Sequence, residues 1–200
     1  MTDIVLASQS PRRQDLLKQV GINFRVITSS CDESYADGLG PKEIVAQLSS
    51  RKADNVFDKV LSEDSDSTSD KIAVIAADTI VALDNEILGK PKDRADAFRM
   101  LKALSGRSHS VYTGVTIIYA TLGKVTAESF VSQAEVKFFD LTDDEIDAYI
   151  STWEPMDKAG AYGIQEKGAA LVESIAGDYY TIVGLPVAKV YRSLKTNRFI

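Results

Sequence analysis

Ile4-Val5-Leu6-Ala7-Ser8-Gln9-Ser10-Pro11-Arg12-Arg13-Gln14-Asp15-Leu16-Leu17-Lys18-Gln19-Val20-Gly21 changes its pattern halfway along. Ile4, Val5 and Leu6 form a short apolar run that suits a strand. Leu16, Leu17 and Val20 then recur at helical spacing, and Gly21 supplies a stop. Between the two, Ser10 is a good N-cap and Pro11 fits the first helical position. The stretch therefore predicts a strand, a tight turn and a helix whose free N–H groups point back at the turn. A helix N-terminus of that kind attracts anions. Ser8, Ser10, Arg12 and Arg13 crowd the same spot, and arginine grips phosphate oxygens in pairs. Ser10-Pro11 alone fits an ordinary capped helix with two solvated arginines. Two hydroxyls and two guanidiniums on one turn point to an oxyanion or phosphate site.

The 200 residues suffice for one sizeable core or one elongated domain with two lobes. Hydrophobic content of 44% and charged content of 26% belong to a globular protein. A formal charge of −6 and the lack of a broad basic stripe argue against a nucleic-acid partner. A polyanionic substrate then needs a local basic cluster, with a divalent cation to help it. The longest apolar run, Ile72 to Leu83, is too short to span a bilayer and contains Asp78, so no membrane association is expected. No signal peptide is evident, and Cys31 is the single cysteine, which excludes an internal disulfide framework. The expected compartment is cytoplasmic.

Along the chain, Phe24 to Ile27 alternates as a second strand, and Asp32-Glu33-Ser34 opens a loop. Pro41 begins a helix with Ile44, Val45, Leu48, Val56, Val60 and Leu61 on one stripe. Ser62 to Asp70 is all Ser, Thr, Asp, Glu and reads as a solvated loop. Ile72 to Leu83 is a buried strand, returned through Asp84-Asn85-Glu86. Asp93 to Leu104 is a helix. Ser110 to Tyr119 and Lys124 to Phe139 form a long hairpin, and Thr142 with Glu145 begins a further helix with a capping box. Asp157 to Gly168 is punctuated by glycine. Ala169 to Ile175 and Tyr179 to Val183 read as a second hairpin, and Pro186 starts the closing helix. The class is α/β with a mixed sheet.

Three residues break the local pattern. Asp78 sits between Val74-Ile75-Ala76-Ala77 and Ile80-Val81-Ala82-Leu83. A carboxylate there needs partners or a proton, and such groups cluster at active sites, although a strand-end Asp that caps a turn gives the same pattern. Lys52 lies four residues after Leu48 and four before Val56, so it falls on the apolar stripe, where it either snorkels to solvent or meets a buried partner. His109 is the one histidine, and reads as a strand residue without chemistry. The sequence offers no HExxH, no Ser–His–Asp triad, no two-histidine metal site and no P-loop. Any catalytic metal must be held mainly by oxygens from carboxylates, water and substrate, which favours Mg²⁺ or Mn²⁺.

Leu6-Ala7-Ser8-Gln9-Ser10-Pro11-Arg12-Arg13 resembles the opening motif of the Maf family of nucleotide pyrophosphatases. Arg51-Lys52-Ala53 is similar to its helix motif. Ala76-Ala77-Asp78-Thr79 resembles its Gly-Ala-Asp-Thr type of motif, with an alanine where glycine is usual. Gly89-Lys90-Pro91 and the block from Asp157 to Gln165 are also similar, in the family's order, so the resemblance covers nearly the whole chain. It implies one domain over residues 1–200 of the inosine-triphosphate-pyrophosphatase-like α/β fold, an elongated mixed sheet flanked by helices, with two lobes and a central cleft. It implies hydrolysis of a nucleoside triphosphate to monophosphate and pyrophosphate. Asp78 is then the general base, Glu33 a metal ligand or water-positioning group, and Lys52 a phosphate-binding group, with Glu33 and Asp78 on the divalent metal. Ser8, Ser10, Arg12, Arg13 and Lys90 would hold the phosphates. Within the family, Arg12, Thr79 and Gln165 together mark the branch acting on dTTP and UTP. A homodimer is the expected assembly. A rival reading, from another class, is a non-catalytic nucleotide-sensing regulator of cell division and septum formation.

Overall fold

The structure is a computed structural model that describes residues 2–63, 71–84 and 86–200. Strand β1 (Thr2–Leu6) leads into helix α1 (Pro11–Gln19), with Pro11 in the first turn as expected. β1 pairs in parallel with β2 (Arg25–Val26) on one side and with β3 (Lys71–Leu83) on the other. Parallel neighbours need long crossovers. α1 makes the first and α2 (Pro41–Glu63) the second. β4 (Glu86–Leu88) returns antiparallel along β3. After α3 (Arg94–Leu104) come β5 (Ser108–Thr121) and β6 (Lys124–Phe138), joined at Leu122-Gly123. β7 (Val172–Gly177) is antiparallel to β6, with Val136 opposite Ile175. Among the described residues the sheet has seven strands in the order β2-β1-β3-β5-β6-β7, with β4 on β3, so the mixed α/β class holds. No helix among the described residues is long and apolar enough to cross a membrane.

The chain forms two compact units. The first comprises Met1–Asp78, Thr113–Val131 and Gly184–Ile200. Strand side chains alternate between faces. Val5, Ala7, Val74, Ala76 and Ile118 meet Ala53, Val56, Phe57 and Val60 of α2 in one buried cluster. Two contacts fix where α2 lies, and a third braces one of them. A Cβ on Gly114 would sit 2.3 Å from the Val45 carbonyl oxygen, so the helix rests on bare β5 backbone. Ser49 Oγ lies 3.1 Å from Thr116 Oγ1, and that hydroxyl lies 3.0 Å from Ser129 Oγ. On the opposite face, Tyr119 Oη meets Ser193 Oγ of α6 (Val187–Thr196) at 2.6 Å. The apolar stripe of α2 ends sooner than expected: Leu61 is exposed.

The second unit comprises Thr79–Tyr112 and Ser132–Val183. α3 packs on α4 (Asp143–Ile150). Ala97, Met100, Leu101 and Leu104 are buried on one helix, and Ile146, Tyr149 and Ile150 on the other. Both helices are capped. Asp93 Oδ1 accepts from Asp96 N at 2.8 Å, and Thr142 with Glu145 completes the expected capping box. Three short 3₁₀ turns follow, Glu154–Asp157, Ala159–Ala161 and Glu166–Leu171. His109 is buried, its Nε2 2.8 Å from Tyr162 Oη and its ring edge-on to Phe138 and Tyr162.

Three expectations are corrected. Ser10 occupies the N-cap position, but its hydroxyl makes no capping bond; instead its own N–H donates to Ser8 Oγ at 3.2 Å. Tyr179 to Val183 is not a strand but helix α5 (Tyr179–Val183). Asp178 overrides the β preference of that segment: its carboxylate accepts from Tyr180 N at 3.2 Å and Thr181 Oγ1 at 2.9 Å, winding the first turn. In the acidic run Ser62 to Asp70, Ser62 and Glu63 close α2. Residues 64–70, and Asn85 of the expected turn, lie outside the described residues.

Gly114→Ala should push α2 off the sheet and lower stability by about 1–3 kcal/mol, read from the denaturant midpoint. His109 gives a pH test. Burial pushes its pKa down from 6.5 to about 4, so the folded protein holds it neutral. The stability it contributes is complete above its unfolded pKa and is lost as pH falls towards the folded one. Going from about pH 7 to about pH 4.5, wild type should lose on the order of 2 kcal/mol more than His109→Gln.

Candidate active site

Period-two alternation along β3 puts Asp78 on the same face as Val74 and Ala76, which is the face that α2 covers. Lys52 stands one turn before Val56 on the buried side of that helix. The two meet: Lys52 Nζ donates to Asp78 Oδ1 at 2.6 Å, and each side chain is only 11% exposed. The pair settles two open readings. Lys52 does not snorkel to solvent, and Asp78 lies within a strand and caps no turn.

Glu33 joins the pair from an exposed loop, its Oε1 3.0 Å from the same Lys52 ammonium. The loop is folded by Asp32, whose carboxylate accepts from Ser34 N at 2.9 Å and from the Ser34 hydroxyl. The hydroxyl first, and the backbone bond after it, hold the Asp32 carboxyl below its ordinary pKa. Arg51 then ties the loop to α2. It donates to the carbonyls of Ser34 and Asp32 and, at 2.7 Å, to Gln47 Oε1. Arg51 is thus a site-building residue that sequence reasoning passed over as the neighbour of Lys52. A guanidinium one residue before a buried lysine was the available signal.

The opening turn completes the charged cluster. Ser8 is buried, and its Oγ accepts from Arg13 Nη1 at 3.2 Å. Arg13 Nε donates to the carbonyl of Gly184 at 2.8 Å. Burial lowers the Arg13 pKa; the Asp78 charge is the largest influence raising it, Arg12 lowers it and Glu33 raises it. The guanidinium keeps its charge throughout. Ser8, Arg12, Arg13, Glu33, Lys52 and Asp78 all belong to the first compact unit. Ser10, half-buried, stands on the same turn.

Thr79, Lys90 and Gln165 belong to the second unit. Thr79 follows Asp78 in β3 and therefore points to the opposite face. Lys90 is exposed in a turn where Gly89 O accepts from Gly160 N at 3.0 Å. Gln165 is half-buried and extended, at φ −88° and ψ 170°, just before the last 3₁₀ turn.

Asp78 and Glu33 are the acidic pair that could hold a divalent cation. Among the described residues no group of three or more His, Cys, Asp or Glu is arranged for a metal. Two carboxylates that already share one cation fit the needs of Mg²⁺, which is commonly bound through one or two carboxylates with phosphate oxygens and water.

The site is thus a basic strand–helix turn and a lysine-bridged carboxylate pair on a mixed α/β sheet. Residues 3–197 match the family described as Maf-like protein, and the chain belongs to that family. It is 46% identical over 200 residues to a dTTP/UTP pyrophosphatase of Agathobacter rectalis, spanning 98% of this chain and 97% of that one. It is 48% identical over 192 residues to a dTTP/UTP pyrophosphatase of Carboxydothermus hydrogenoformans, spanning 96% and 97%. A remote likeness is the Ham1 protein of Staphylococcus aureus, 15% identical with a TM-score of 0.40, over 96% of this chain and 99% of that one.

Removing one member of the buried pair strands the other. Lys52→Met alone should cost about 3–5 kcal/mol of stability. Lys52→Met with Asp78→Asn should lose at least about 1 kcal/mol less than the two single losses together, measured by denaturant unfolding in a double-mutant cycle.

Proposed function

We propose that this chain is a nucleoside triphosphate pyrophosphatase that hydrolyses dTTP and UTP to the monophosphate and pyrophosphate. The names of its relatives support the reaction and the substrates. The observation that carries the reading is the Lys52 ammonium shared by Asp78 and Glu33 beside the Ser8–Arg13 turn.

An arriving triphosphate competes for cations. Its oxygens draw on Arg12, Arg13 and the Lys52 ammonium, with Ser8 and Ser10 as hydroxyl partners and Lys90 as a further cation. Lys52 is thereby turned from Asp78 towards phosphate, which frees a carboxylate oxygen. Asp78 takes the proton of a water as that water's oxygen bonds to the α-phosphorus. The bond from the α-phosphorus to the bridging oxygen breaks, and pyrophosphate leaves with its charge spread over the arginines and Lys52. Asp78 and Glu33 would hold a Mg²⁺ or Mn²⁺ ion, which when bound supplies further neutralisation of the phosphate oxygens. Thr79 and Gln165 complete the base-reading set with Arg12. Gln165 reads the pyrimidine edge, where uracil and thymine present a carbonyl at ring position 4 and cytosine an amino group. The proposed setting is the cytoplasm and the proposed assembly a homodimer, with no nucleic-acid partner.

The test is product analysis across a nucleotide panel. dTTP or UTP with Mg²⁺ should give monophosphate and pyrophosphate in equal amounts, with activity lost in excess chelator and restored by Mg²⁺ or Mn²⁺. Asp78→Asn should lower kcat by about 10²–10⁴-fold while nucleotide still binds. Release of orthophosphate, or a purine nucleotide with the highest kcat/KM, would overturn the reading.

A further inference from the structure

A side-chain amide does not by itself choose between uracil and cytosine. Glutamine carries a donor and an acceptor on one small rotor, and a half turn exchanges them. Discrimination therefore requires the amide to keep one of its two orientations against the base, and the first condition for that is a fixed backbone beneath Gln165. The second unit shows how that backbone is held.

Gly163, two residues before Gln165, donates its N–H to Tyr149 Oη at 3.1 Å. Tyr149 is buried in the last turn of α4, and burial pushes its hydroxyl pKa up to about 12, so the proton stays on. Gly168, three residues after Gln165, closes on the same point. A Cβ there would sit 2.0 Å from Gly163 O and 2.8 Å from Tyr149 Oη. The segment from Gly163 to Gly168 thus doubles back around one phenolic oxygen, with Gln165 on the bend. Lys167 N donates to Glu154 Oε1 at 3.3 Å, a second tie on the same bend. Upstream, Tyr162 is held by His109. None of these side chains has a part in the chemistry proposed above.

We propose that Tyr149 is a positioning residue for pyrimidine selection: its hydroxyl, by holding Gly163, sets the direction in which Gln165 presents its amide to the base. The proposal rests on the reading of Gln165 as the base-reading residue. Tyr149→Phe removes one oxygen atom and keeps the ring, so the packing between α3 and α4 survives. The bend is then free to shift, and small misplacements of a positioning group carry large rate costs.

The experiment measures kcat and KM for UTP and CTP, together with the thermal midpoint, in wild type, Tyr149→Phe, Gln165→Ala and the double variant. The expected result is that Tyr149→Phe lowers the UTP-over-CTP ratio of kcat/KM by about tenfold. The change should come mainly through the KM for UTP, and the double variant should discriminate no worse than Gln165→Ala. Equal losses on both substrates would mark Tyr149 as merely structural and overturn the proposal. So would a Gln165→Ala variant that loses discrimination while Tyr149→Phe keeps it. If Gln165→Ala discriminates as wild type does, the base-reading role of Gln165 fails first, and the proposal goes with it.

Discussion

One ammonium group shared between two carboxylates governs the first compact unit. Lys52 Nζ is 2.6 Å from Asp78 and 3.0 Å from Glu33, and taking it out of water is costly unless its partners are placed well. Three different devices do the placing. Strand alternation aims Asp78 at α2. The bare backbone at Gly114 and the Ser49–Thr116–Ser129 hydroxyls fix the helix against the sheet. Arg51 carries the Glu33 loop to the same helix turn. Buried ion pairs seldom stabilise a fold better than apolar side chains of equal volume. The fold alone gives no reason for a lysine at 52 and an aspartate at 78, which is why the pair reads as chemistry.

How much of this could be read from the residues follows from what each signal depends on. Asp78 and Lys52 were legible because each is a charge where a periodic pattern demands an apolar residue, and periodicity survives into the structure. Glu33 carried no such signal. Its loop has no period, and what brings it to Lys52 is Arg51, a contact across 17 residues of chain to Ser34. The Tyr179 to Val183 segment misled for a related reason. Its β-branched and aromatic residues favour a strand, but one side chain before it, Asp178, supplies the bonds that start a helix. Ser10 has the right residue type in the right position, yet Ser8 takes the backbone N–H and Arg13 takes Ser8. Local propensity states what a segment favours; a single well-aimed acceptor decides what it does.

The second unit works by rigidity where the first works by charge. His109, Phe138 and Tyr162 meet edge to face, with ring centroids 4.7 to 5.3 Å apart, and bind β5, β6 and the glycine-rich segment together. Glycine permits the tight path of that segment, and the aromatic cluster with Tyr149 removes the freedom that glycine would otherwise leave. Such a segment has no hydrophobic period, so its shape was beyond the reach of pattern reading. Only packing from elements far away in sequence defines it.

The first unit is assembled from three separate pieces of chain, and the last is Gly184–Ile200. That piece delivers the Gly184 carbonyl to Arg13, 171 residues upstream, and Ser193 to Tyr119. During synthesis the turn that carries Ser8, Arg12 and Arg13 therefore leaves the ribosome 171 residues ahead of the carbonyl that anchors it. Contacts of such long sequence separation close late, because the intervening loop must lose its freedom before they form. A chain that lacked Gly184 would keep the bond from Arg13 to Ser8 and lose the carbonyl that anchors the guanidinium from the far end of the sequence.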